Sequence, residues 1–223
     1  MTHLLPLPPP EPGGWNPAWV LRTGRMVLRP VSGGDAAEIA ALKADPRAYA
    51  MMLGGVRSYE QANDELAADV RAWGAHGIGL WSARDRETGE FYGIAGIMQR
   101  ADGRGMALRF AFEPEARGHG LAREAAIAAL HFAHDRAGIA RVIAVARETN
   151  AASCMLLTSI GMQEAPDLAF TRDGYRMLVF VSEPRLYFVE NWHPNDKSDT
   201  GAVSADAQIQ TARPGFVASA PHS

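Results

Sequence analysis

Arg117-Gly118-His119-Gly120-Leu121-Ala122 stands between two unlike segments of the chain. Before it, Met106-Ala-Leu-Arg-Phe-Ala-Phe112 reads as a short apolar strand ended by Glu113-Pro114. After it, residues 123–137 form an Ala-rich run without Gly or Pro, the composition of a helix. A basic residue and two glycines at such a junction suit a turn whose backbone N–H groups converge. A nest of this kind at a helix N-terminus binds phosphate, because unpaired N–H donors and the positive end of the helix dipole meet there. Gly118 and Gly120 permit dihedrals and close approach that a side chain blocks. Read alone, the stretch fits either a tight strand-to-helix turn or the seat of a phosphorylated cofactor.

Spacing narrows the choice. A dinucleotide fingerprint needs a third glycine where Arg123 stands, and a P-loop needs a Gly-Lys-Ser/Thr triplet that occurs nowhere in the chain. Basic-x-x-Gly-x-Gly/Ala instead resembles the pyrophosphate loop of the GNAT acetyl-CoA-dependent N-acetyltransferases. Downstream, Asn150-Ala-Ala-Ser153 with Leu157, Gly161 and Met162 resembles that family's Asn-x-x-Ser-x-x-x-Leu…Gly-Phe segment, Met162 replacing the Phe. Upstream, Leu21-Arg-Thr-Gly-Arg-Met-Val-Leu-Arg-Pro30, Asp35 and Asp45-Pro46 resemble the opening of the RimJ/RimL-like branch, which acetylates protein N-termini or small amines.

The resemblance covers about residues 21–183. It implies a GNAT α/β fold with a mixed sheet, acetyl-CoA as co-substrate, no metal, and an amine-bearing acceptor that is a small molecule or a protein N-terminus. Arg117, Gly118, His119, Gly120, Leu121 and Ala122 then hold the pyrophosphate, and Asn150 meets the pantetheine arm. Backbone N–H groups of Phe110, Ala111 and Phe112 face the thioester carbonyl. Ser153 becomes the proton donor to the departing thiolate, since Leu157 stands where many members carry a tyrosine. Ser153 also fits a first-turn serine capping its own backbone, and Asn150 an ordinary N-cap. No carboxylate precedes Glu113 on the fourth strand. The base is therefore Glu148, Glu164, Asp167 or a water relay. A non-catalytic acyl-CoA-binding module and a protein adaptor using the Pro-rich arm are the competing functions.

Other residues read more plainly. Cys154 reads as a small apolar residue rather than a nucleophile. His131, His134 and Asp135 read as a helix surface rather than a metal site. Trp73, His76, Trp81, Met51 and Met52 are either core or acceptor-side wall.

Composition sets the frame. The 223 residues, 47% apolar and 21% charged, fit one domain with tails. Residues 1–20 hold six of the 14 prolines and read as an extended arm, with Trp15 and Trp19 as anchors. The domain is placed at 21–188. Residues 189–223, rich in Ala, Ser, Asp, Gln and Thr, read as a disordered tail. A net charge of −3 gives no case for nucleic acid or an anionic membrane. One cysteine and the lack of a long apolar run point to a cytoplasmic protein without a membrane span. A monomer or homodimer is expected.

Overall fold

A computed structural model of the chain describes residues 15–184. The Pro-rich arm up to residue 14 and the chain beyond residue 184 lie outside the described residues. Strands β1 (Leu21–Arg22), β2 (Met26–Pro30), β3 (Leu80–Asp85), β4 (Phe91–Gln99) and β5 (Met106–Phe112) run antiparallel, each beside the next. Then β6 (Val142–Arg147) joins β5 in parallel, and β9 (Tyr175–Ser182) closes on β6. The short strands β7 (Gln163–Glu164) and β8 (Phe170–Arg172) both pair with β9. Hairpins early and helix-separated strands late thus give the mixed sheet that the sequence pattern predicts.

Local chemistry fixes the helices. Ser32 and Asp35 form a capping box just ahead of α1 (Ala36–Ala44), and Asp45 caps α2 (Pro46–Tyr49). Ser58 and Gln61 form the expected capping box of α3 (Tyr59–His76). Asp85 accepts from the N–H groups of Glu87 and Thr88, both at 2.8 Å, which shapes the β3–β4 turn. Helix α4 (Leu121–His131) lies on β4 and β5, and its buried alanines allow close approach to the sheet. Helix α5 (Ala151–Ser159) follows β6.

The helical run after the glycine loop is not continuous to residue 137. It relaxes into a π-turn over Phe132–Arg136, where Ala137 N donates to Phe132 O. His134 explains the change. Its ring is buried, with Nδ1 at 2.6 Å from Ile139 O and Nε2 at 2.9 Å from Ser182 Oγ. The expectation of a surface histidine is therefore wrong for His134, which is a bonded core residue. His131 lies 3.0 Å from Asp135 within the same turn.

Packed structure begins ahead of Leu21. The Trp19 ring lies 5.2 Å from that of Trp73, which stands edge-on to Trp81 at 4.8 Å, and Phe132 completes the cluster. Trp81 Nε1 donates to Trp19 O at 2.6 Å. Removing residues 1–20 is therefore expected to cost about 2 kcal/mol of unfolding free energy, through lost aromatic contact and an orphaned indole N–H. Urea denaturation followed by tryptophan fluorescence measures it; a chain starting at Leu21 that unfolds at the wild-type midpoint would refute the anchoring.

Candidate active site

The groove originates in the sheet. Strands β5 and β6 share a single paired position, Ala107 with Ile143, whereas β5 is bonded along its length to β4 and β6 to β9. Beyond Ala107 the two strands part. Glu113 N donates to Tyr92 O of the β4 side at 2.9 Å. Alternation along the strand then turns Ala111 toward β4 as well, and turns the N–H groups of Phe110 and Phe112 into the gap. Ala111 still lines the groove, but its N–H is directed away from it.

Two cavities that share lining residues occupy the gap. The wider, about 540 Å³, is lined by residues 107–110 and 144–147. The narrower, about 280 Å³, is lined by residues 110–112, Arg117, Gly118 and residues 120–122. Phe110, Asn150 and Ser153 line both, with Met51 and Met52 as the covering apolar wall. Met51 and Met52 thus line the cavities rather than the buried core. Trp73 and Trp81 are fully buried in the aromatic cluster, and His76 is an exposed residue at the end of α3; none of these three lines either cavity.

The glycine loop closes the narrow end. Gly118 has φ +83° and Gly120 φ +75°, the left-handed region that disfavours any side chain. Gly120 is the residue before α4 and offers no side-chain cap. The first-turn N–H groups of Leu121, Ala122 and Arg123 accordingly lack the usual partner. Two arginines, Arg47 and Arg117, and no carboxylate line this cavity, so its donor set fits an anion. Arg117 is partly occupied in holding the loop: Nη1 donates to Arg47 O at 2.8 Å and Nη2 to Phe112 O at 3.2 Å. His119 lines neither cavity; its carbonyl accepts from Arg25 Nη1 at 2.6 Å. Arg25 is in turn held by Glu124 of α4 at 2.7 Å. Burial alone would raise the Glu124 carboxyl, but hydrogen bonds from Thr23 and Arg25 hold it below its ordinary value.

At the junction, Asn150 Oδ1 accepts from Ser153 N at 3.2 Å, so Asn150 is the N-cap of α5. The Ser153 hydroxyl behaves differently from its neighbours. Thr158 and Ser159 spend their hydroxyls on the Cys154 and Leu156 carbonyls, whereas Ser153 Oγ makes no hydrogen bond among the described residues. It is not a self-capping serine. Buried Leu157 beside it offers no donor. Cys154 lines neither cavity and packs on the core, and burial pushes its thiol up.

No candidate base reaches the groove. Glu148 pairs with Arg176 at 3.2 Å, and Glu148, Glu164 and Asp167 are all exposed and line neither cavity. Asp102 lines the wider cavity, but its hydrogen bond with Arg100 holds its carboxyl down at about 2. Sequence spacing gave no signal for a buried cluster behind Arg109. There Glu65 receives Lys43 Nζ at 2.8 Å and also Arg57, Arg109 lies 3.6 Å away, and Arg109 donates to the Tyr49 hydroxyl. No group of three metal-ligating side chains occurs among the described residues, and no described helix is long and apolar enough to cross a membrane.

This architecture is that of an acetyltransferase domain. The chain belongs to the GNAT acetyltransferase family, whose domain description matches residues 25–163. An uncharacterized protein of Bacillus subtilis (strain 168), YkkB, is 28% identical over 144 residues, covering 64% of this chain and 84% of its own. Among solved structures, a protein assigned to the GNAT acetyltransferases from Bordetella pertussis is 28% identical with a TM-score of 0.64, covering 73% of this chain and 98% of its own. An acetyltransferase from Agrobacterium tumefaciens is 26% identical with a TM-score of 0.66, covering 74% and 94%. RimL, a ribosomal α-N-protein acetyltransferase solved in complex with coenzyme A, shares the fold at 13% identity with a TM-score of 0.60, covering 74% and 97%.

Proposed function

We propose that the protein is an N-acetyltransferase that moves an acetyl group from acetyl-CoA to a primary amine by direct attack in a ternary complex. One observation carries this reading: the cavity at an uncapped glycine nest is also lined by Ser153, whose hydroxyl makes no hydrogen bond among the described residues. Acetyl-CoA supplies a thioester whose acyl carbon accepts the amine. Gly118, Gly120 and the first-turn N–H groups of α4 hold the pyrophosphate. The freed edge of β5 binds the pantetheine amides, and the N–H groups of Phe110 and Phe112 polarise the carbonyl. Asn150 fixes the start of α5 and so aims Ser153, whose hydroxyl protonates the departing sulfur. The amine loses its proton to water, since no carboxylate lining the groove is free to take it. Positioning and carbonyl polarisation supply most of the rate.

The opening segment and Ser153 opposite a non-donating Leu157 support membership of the RimJ/RimL-like branch, and the single cysteine suits a reducing cytoplasm.

Acetyl-CoA is expected to raise the melting temperature, because a ligand that binds only the folded state stabilises it by mass action. Gly120→Glu puts a side chain at a left-handed position, starting 3.6 Å from Arg25 Nη2, and a negative charge beside the nest, and should weaken CoA binding at least about tenfold in calorimetry. Gly120→Ala, which shares the backbone cost without the charge, should bind better than the Glu variant. Unchanged affinity in Gly120→Glu removes the loop from the site. Release of free thiol from acetyl-CoA with a panel of amines tests the chemistry; binding without turnover on any amine would favour a non-catalytic CoA-binding module.

A further inference from the structure

The wide end of the groove has a charge pattern that amine binding alone does not explain. Arg57, Arg100, Arg109, Arg147 and Arg172 all line it, from five separate segments, and among the described residues Asp102 is the one acidic member of that lining. The protein's own carboxylates cover part of this charge. Arg100 is bonded to Asp102. Arg57 and Arg109 share Glu65 with the fully buried Lys43, and Asp69 is the second carboxylate near Lys43 and Arg109, so three cations face two carboxylates. Arg172 lies 3.6 Å from Asp173 in an exposed pair, which water screens. Arg147 has its guanidinium 4.2 Å from the centre of the Tyr175 ring and makes no ion pair among the described residues.

An excess of guanidinium groups in a half-enclosed cavity is unfavourable until an anion enters, and planar guanidinium forks match carboxylate and phosphate oxygens. The CoA pyrophosphate does not answer this excess on the proposed pose. Its nest belongs to the narrow cavity, and none of the five arginines lines that cavity. We propose that the acceptor is a small amine that also carries a carboxylate or a phosphate, with the arginines of this lining holding the anionic group while the amino group faces Ser153. This rests on the acetyl-transfer reading of the groove. A volume of about 540 Å³ suits a small molecule. The same arginines oppose polycationic amines by like-charge repulsion, which gives selectivity as well as affinity.

The test compares matched probes on the full chain: O-phosphoethanolamine with ethanolamine, and β-alanine with 3-aminopropanamide. Calorimetric titration into the CoA-saturated protein and thiol release from acetyl-CoA are read in parallel. The anionic member of each pair should bind, and be consumed as measured by kcat/KM, at least about tenfold better than its neutral partner. Arg147→Gln should cut that preference to about threefold or less while CoA affinity stays within about twofold. Arg172→Gln, at a more exposed position, provides a second variant should the first fold poorly. Equal binding of charged and neutral partners, or no binding of either charged probe at about 10 mM, overturns the inference. Anion-selective binding without turnover would instead overturn acetyl transfer and leave the ligand class standing.

Discussion

Replacing Ser153 with alanine is expected to lower kcat about a hundredfold while leaving CoA affinity within about twofold. A proton donor to the leaving thiolate acts where negative charge develops on sulfur. Its loss therefore raises the barrier without much changing ground-state binding. The geometry makes the expectation specific: Ser153 lines both cavities, its hydroxyl is unspent, and Leu157 cannot take its place. General-acid contributions run to about 10⁴-fold, but water can enter a half-open groove and substitute in part, which sets the estimate at the lower end. Asn150→Ala is the companion variant. Since Asn150 caps α5 through the N–H of Ser153 itself, its loss should weaken CoA binding and rate together. Single-turnover kinetics at saturating substrate decide the matter: equal rates for Ser153→Ala and wild type would take the hydroxyl out of the mechanism and leave the cofactor site untouched.

The parts of the fold written in local chemistry were legible in the sequence. Capping residues at Ser32 and Ser58, the Asp85 turn, the alternating apolar residues of β9 and the glycine loop each carry their signal within a few residues. Strands β1, β7 and β8 carry none, because two or three residues are too few to show a period of two. The π-turn was hidden for a related reason: Ala-rich composition gives helix without saying where a tertiary contact, here His134 with Ser182, stretches it. Composition placed Trp19 in the arm, whereas packing against Trp73 joins it to the core.

The site divides in the same way. Loop and α5 motifs were visible as spaced residues, but the direction of the Phe110 and Phe112 N–H groups follows from pairing with β4. The arginine cluster was invisible because its members come from segments far apart in the chain and share a cavity only in the folded protein.

Glu65→Gln is expected to cost about 3–5 kcal/mol of unfolding free energy at neutral pH, the largest stability effect of any substitution considered. Lys43 is wholly buried, and its ammonium is held by Glu65 at 2.8 Å. An amide leaves that charge, together with Arg57 and Arg109, facing a neutral group in a site largely removed from water. Asp69 is itself pushed up by burial, so it is a poor replacement. The pH dependence separates this account from a general packing defect. Burial alone would raise the Glu65 carboxyl, but hydrogen bonds from Arg57 and Lys43 hold it down at about 2, against its usual 4.5. A carboxyl depressed on folding contributes fully above its unfolded value and loses that contribution as pH falls toward its folded value. The gap between wild type and Glu65→Gln in urea midpoints should therefore be full at pH 7 and shrink between pH 4.5 and about 2. Adding Lys43→Met to Glu65→Gln should recover part of the loss, because it removes the buried charge that the amide strands. A gap that is constant with pH, or no recovery in the double variant, would assign the effect to packing rather than charge. Since Glu65 also sets Arg57 and Arg109 at the wall of the wide cavity, the single variant should blunt any preference for anionic acceptors; in this chain stability and selectivity draw on the same carboxylate.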